Sequence, residues 1–135
     1  GNGCWGALGI LSVALCLAGK RDLVGTWLPE AAKIAETETV LIAEILPVPT
    51  VAGITAACAG EWELAESYHQ RALRVCTAEE VPVMRAIAHY WYGDMMREQG
   101  KAEARNHFEQ CLDLCKRTGL GLYEKLAMAS GADGE

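Results

Sequence analysis

Apolar and polar positions along this chain alternate with the period of an α-helix, and the pattern itself recurs about every forty residues. Three stretches stand in register: Cys16 to Ala35, Ala57 to Cys76 and Arg97 to Cys115. Each opens near a glycine (Gly19, Gly60, Gly100), crosses a short polar turn and enters an amphipathic helix. The space between successive glycines reads as two helices. A period of 20–50 residues made of helix pairs is the mark of an α-solenoid, in which each pair buries its apolar face against its neighbours. The predicted fold is therefore all-α: a right-handed α-solenoid of three antiparallel helix pairs, about 5–37, 40–76 and 78–117, plus a short terminal helix over 120–129. These form one domain over 1–129, and residues 130–135 read as a disordered tail.

Individual helices follow from local signals. Trp5 to Ala18 is uncharged for fourteen residues, short of the roughly twenty that a membrane span needs. Neither an initiator Met nor a basic segment precedes it, so a signal peptide is not indicated. The start Gly1-Asn2-Gly3 reads as a tag scar or a cut inside a longer protein. The segment is read as the first solenoid helix, apolar on more than one face because something covers it. That predicts self-association, as in a homodimer, through the N-terminal pair. Its partner helix, Asp22 to Thr37, is disturbed early by Pro29. The next helix lies between Val40 and Ala59, where Pro47 and Pro49 predict a break or kink near 46–48.

Further on, Trp62 to Val75 is expected to bury Leu64, Ala65, Tyr68, Ala72 and Leu73. Thr77-Ala78-Glu79-Glu80 has the form of a capping box, and Pro82 suits a first helical turn. Val83, Ile87, Tyr90, Trp91, Asp94 and Met95 then repeat at helical spacing until Gly100. The following helix, Ala102 to Arg117, carries Ala104, Phe108, Cys111, Leu112 and Cys115 on one face, and Gly119 stops it.

Composition narrows the function. The net charge is −6, and no basic cluster is longer than Lys20-Arg21 or Lys116-Arg117, which argues against nucleic acid as a ligand. The six cysteines fall within or beside apolar helical patterns rather than in loops. They are read as reduced, buried side chains of a cytoplasmic protein.

The repeated residues resemble tetratricopeptide repeats. The middle unit carries the resemblance with Gly53, Gly60, Trp62, Ala65, Tyr68-His69 and Ala72-Leu73. The last carries it with Tyr92-Gly93, Gly100, Ala104, Phe108 and Cys111-Leu112, and the first with Leu11-Ser12, Gly19, Val24, Leu28 and Ala31-Ala32. The period exceeds the usual 34 of the family. Longer units of this kind are similar to those of bacterial signalling ATPases, nucleotide cyclases and maltose-activator-type regulators. The resemblance implies a concave groove lined by the first helix of each pair. In register, that groove takes Tyr90, Asp94 and Arg97, then Thr50, Ile54 and Ala57, then Gly9, Val13 and Cys16. It lacks the Lys/Asn/Arg set with which chaperone-docking repeats clamp a C-terminal carboxylate.

Candidate chemistry is sparse. His107, Cys111 and Cys115 are spaced i, i+4, i+8, but zinc takes four ligands, and small groups on a helix face explain them. His69 and His89 have no acid or nucleophile at a telling spacing, and no phosphate-binding loop or nucleophile elbow occurs. Among His89-Tyr90-Trp91-Tyr92, at least one side chain is expected to stand exposed as a binding anchor. The expected function is a non-catalytic protein–protein interaction module of a larger bacterial signalling or regulatory protein. Its expected partner is a protein or peptide, or other domains of the parent chain, with no cofactor, metal, nucleic acid or membrane. The expected contacts are Tyr90, Trp91, Asp94, Arg97, Thr50 and Ile54. The alternative is a sensor that binds a small molecule or peptide in the same groove.

Overall fold

The chain is all-α. A computed structural model describes residues 3–37, 42–43, 46–79 and 81–131, with side chains over 8–36, 47–76 and 81–131. Its helices are α1 (Gly3–Leu17), α2 (Arg21–Gly25), α3 (Leu28–Thr37), α4 (Val48–Cys58), α5 (Trp62–Glu79), α6 (Pro82–Glu98), α7 (Ala104–Thr118) and α8 (Gly121–Ala129). Two two-residue strands, β1 (Ile42–Ala43) and β2 (Leu46–Pro47), pair antiparallel with Ile42 opposite Pro47. None of the described helices is long and apolar enough to cross a membrane.

The glycines set forty residues apart close their turns in the same way. Gly19, Gly60 and Gly100 have φ of +79°, +81° and +73°, in the left-handed region that a Cβ disfavours. The next N–H, that of Lys20, Glu61 or Lys101, donates to the carbonyl five residues back (Leu15, Ala56 or Met96) at 2.8, 2.9 and 2.9 Å. This is the Schellman closure, which satisfies carbonyls the helix end leaves without partners. Gly119 ends α7 likewise, with φ +76° and Leu120 N–H reaching the Cys115 carbonyl at 3.2 Å.

Packing divides the chain into two units, residues Gly1–Arg71 and Ala72–Glu135, with the boundary inside α5. In the first, α4 packs against α1, α2 and α3. Every residue of α4 from Val48 to Ala56 is buried, so it is the unit's central helix. Trp27 donates its indole N–H to the buried Ser12 hydroxyl at 3.0 Å. Gly53 lies so close to His69 that a Cβ there would meet the imidazole at 2.7 Å. Arg71 donates to the Ala35 carbonyl at 3.0 Å, capping α3, and its guanidinium sits 5.5 Å from the Tyr68 ring.

In the second unit α6 packs against α7, and α8 packs against both. Ala86 to Met96 are all buried. Gly93 repeats the part of Gly53: an added Cβ would lie 2.9 Å from Phe108. The outer face of α7 is charged, with surface pairs Arg105–Glu109 at 3.1 Å and Arg117–Asp113 at 3.6 Å. Such pairs contribute about 0.3–0.5 kcal/mol each, so burial of the opposite face holds the helix.

Several sequence expectations change. The helix predicted over Asp22 to Thr37 is two helices, because the chain turns at Thr26–Trp27 and restarts with Pro29 in the first turn of α3, where a missing N–H costs little. The helix expected from Val40 starts only at Val48. Pro47 holds an extended backbone (φ −64°, ψ 138°) and disfavours helix at Leu46; residues 38–41 and 44–45 lie outside the described residues. The capping box does not form, since Thr77, Ala78 and Glu79 continue α5 and Val81 takes the N-cap place of α6 without a side-chain bond; Glu80 is outside the description. On α5 Leu64 is exposed and Leu73 half-buried, whereas His69 is buried; on α7 Leu114 is buried and Leu112 is not. Besides Tyr68 and Leu114, the two helices bury matching rows, Ala65, His69, Ala72, Cys76 and Ala104, Phe108, Cys111, Cys115. Both follow i, i+4, i+7, i+11, and His69 takes the place of Phe108. Of the tail, Ser130 accepts from Arg97 of α6 and Gly131 is buried, and 132–135 fall outside the described residues.

Candidate functional site

The α6 face assigned to a groove is covered by the chain itself. Helix α8 follows the Gly119 turn and lays Tyr123 and Ala127 on the core. Trp91 donates its indole N–H to the Tyr123 hydroxyl at 3.1 Å. The Tyr90 ring meets Trp91, Phe108 and Tyr123 at centroid distances of 5.0, 5.6 and 5.5 Å. These edge-on and tilted contacts match the aromatic quadrupole. Burial pushes the Tyr123 phenol up to about 12 and raises that of Tyr90, with Asp94 adding to the latter. Both stay neutral at physiological pH.

All four of His89, Tyr90, Trp91 and Tyr92 are buried. The expectation of an exposed anchor among them is corrected: α7 takes one side of α6 and α8 another, leaving no open side for that run. Asp94 is buried as well, its side chain 4% exposed, and its charge is balanced by Arg97, 40% exposed. Arg97 also donates to the Ser130 hydroxyl at 2.7 Å and lies 5.5 Å from the Phe108 ring. Tyr90, Trp91, Asp94 and Arg97 therefore form one cluster, of which Arg97 reaches the surface. Thr50 and Ile54, in the first unit, are buried in α4. Sequence reasoning missed Tyr123 and Ser130, which complete the cluster; Tyr123 and Ala127 at i, i+4 in an apolar terminal helix were the available signal.

Beside Arg97 opens a cavity of about 570 Å³, lined among others by Lys101, Arg105, Phe108 and Ser130. Two of its cations are already paired, Arg97 with Asp94 and Arg105 with Glu109.

The nitrogens of a second cluster face each other: His89 Nδ1 and His107 Nδ1 are 3.0 Å apart, and Tyr92 stacks on His107 at 4.3 Å. Burial first, then His107 and Arg85, lower the His89 imidazole to about 4. His89 is therefore neutral near pH 7, and one Nδ1–H of the pair donates to the other Nδ1. Cys111 Sγ lies 3.8 Å from Cys115 Sγ and 4.0 Å from the Tyr123 carbonyl oxygen, while His107 turns to His89. His107, Cys111 and Cys115 thus do not converge, and among the described residues no group of three or more His, Cys, Asp or Glu is placed to hold a metal ion. Burial raises the thiols of Cys111 and Cys115, and that of Cys76 to about 11. These three thiols are poor nucleophiles at neutral pH.

Comparison with protein families, with characterised proteins and with solved structures finds no match to this chain.

Proposed function

We propose that this chain is a non-catalytic protein-interaction module, a tetratricopeptide-like right-handed α-solenoid of three helix pairs that serves a cytoplasmic, bacterial signalling or regulatory protein. The repeated glycine turns and the matched burial patterns of α5 and α7 support the repeat reading. One observation carries the interaction reading. Helix α1 has no charged residue and leaves Ile10, Leu11 and Leu17 about half exposed, at 57, 48 and 46%. Leu23 of α2 adds a fourth apolar side chain at 51%. A run of this kind, on an element with no polar face, marks an interaction surface. A second copy of the chain is the proposed occupant, because α1 offers an uncharged face that a symmetric dimer pairs with itself.

Light scattering over a wide concentration range tests this. A dimer that Leu11→Glu with Leu17→Glu converts to monomer is the expected result. A monomer throughout, or a dimer indifferent to both changes, overturns it. The pocket beside Arg97 favours a second reading, a sensor for a small molecule or peptide. Thermal stabilisation of the protein by members of a small-molecule and peptide panel, lost in Arg97→Ala, is its test.

A further inference from the structure

Two cysteines far apart in sequence are brought together within the first unit. Cys16 lies in the last turn of α1, and Cys58 is the final residue of α4. Their sulfurs are 3.6 Å apart, and both cysteines are reduced. They stand one residue out of register in the repeat, three and two residues before Gly19 and Gly60. The same Schellman turn therefore delivers both to the ends of two packed helices. A disulfide needs about 2.05 Å between sulfurs, so the gap to close is about 1.6 Å, within reach of side-chain rotation.

Accessibility separates Cys58 from the other described thiols. Cys58 is half-buried, whereas Cys16, Cys76, Cys111 and Cys115 are buried. Cys111 and Cys115 also have close sulfurs, but they sit one turn apart on one helix, under α8. A solvent oxidant meets Cys58 first and finds Cys16 directly behind it. That is the arrangement of a reacting thiol and a resolving thiol.

We infer that Cys16 and Cys58 form a reversible disulfide that staples α1 to α4 when the chain meets a small disulfide oxidant such as oxidised glutathione. In the first step the Cys58 thiolate attacks one sulfur of the oxidant. The oxidant's S–S bond breaks, and one glutathione leaves with the bonding pair and takes up a proton. In the second, the Cys16 thiolate attacks the Cys58 sulfur of the mixed disulfide, and the second glutathione leaves in the same way. Two cysteines are oxidised, one small disulfide is reduced to two thiols, and the two cysteine protons end on the glutathiones. A dithiol reductant reverses both steps. The staple fixes α1, which carries no charged residue, to the central helix of its unit.

The test is to treat the reduced full chain with excess oxidised glutathione, alkylate the remaining thiols under denaturing conditions and map the peptides by mass spectrometry. The expected wild-type product has lost about 2 Da and contains a peptide linking Cys16 to Cys58. In Cys16→Ser the reaction stops with one glutathione on Cys58, a positive signature that does not depend on forming the staple. A wild-type protein that keeps glutathione on Cys58, links any other pair (Cys4 and Cys111–Cys115 included), or leaves all its thiols unreacted overturns the inference.

Discussion

The buried His89, in contact with His107, makes stability depend on pH with a sign and size that can be worked out. His89 is 3% exposed, its folded value is lowered from 6.5 to about 4, and its Nε2 has no hydrogen-bond partner among the described residues. Protonation places a charge in the core beside His107 and Arg85 and leaves an N–H unsatisfied. Between pH 6.5 and about 4 the unfolded chain binds the proton and the folded one does not, so stability falls as pH falls through that window. From pH 7.5 to 5 the loss from this group is about 2 kcal/mol, approaching about 3 kcal/mol below pH 4. With a urea slope of about 2 kcal/mol/M, the midpoint drops by about 1 M.

The variant to compare is His89→Gln, which keeps an amide donor toward His107 and removes the titration. Carboxylates titrate in both proteins, so the quantity to follow is the difference between them. Circular dichroism and tryptophan fluorescence must report the same transition for the free energies to be comparable. The expected difference narrows or changes sign by about 2 kcal/mol on going from pH 7.5 to 5. A difference that stays constant over that range shows that His89 is not held neutral by the fold, and refutes the reasoning.

Other perturbations separate conformational from packing roles. Gly100→Ala meets open space, so it costs only the left-handed backbone, about 1 kcal/mol. Gly93→Ala presses a Cβ against Phe108 and the Ala104 carbonyl at 2.9 and 3.2 Å, and costs about 1–3 kcal/mol. Phe108→Leu is expected to offset part of the Gly93→Ala loss and none of the Gly100→Ala loss, read as a double-mutant cycle in urea. Tyr123→Phe leaves the Trp91 indole N–H without its acceptor; a loss of about 1–3 kcal/mol in thermal or urea unfolding is expected. The exposed neighbour Leu122→Ala is the near-neutral control. Equal effects of the two changes rule out the Trp91–Tyr123 bond as what anchors α8.

How much could be read in advance depended on how local each cause is. The helix ends at Gly19, Gly60, Gly100 and Gly119 are fixed by a conformation that glycine alone tolerates well, and spacing revealed them. The break near 46–48 came from prolines and appeared where expected, though residue by residue it took the form of a small strand pair and not a kink. Burial along α5 and α7 was legible at Ala65, Tyr68, Ala72, Ala104, Phe108, Cys111 and Cys115. The slip from Leu64 and Leu73 to His69 arises because hydrophobicity ranks Leu above His, while the space opposite Gly53 accepts a flat ring.

The site was less legible. Spacing placed Tyr90, Trp91, Asp94 and Arg97 on one helix, yet nothing local says which neighbour takes which side of α6. The glycine at 119 allowed the chain to turn; only packing decided that α8 then lies over Tyr90 and Trp91, with Ser130 on Arg97. Likewise the six cysteines read alike in sequence, and only the approach of α1 to α4 joined Cys16 with Cys58. Sequence by itself determined the all-α class and the helix ends at Gly19, Gly60, Gly100 and Gly119, because those follow from backbone sterics and the 3.6-residue repeat. Tertiary structure decided which faces meet, because burial depends on the joint fit of side chains far apart along the chain.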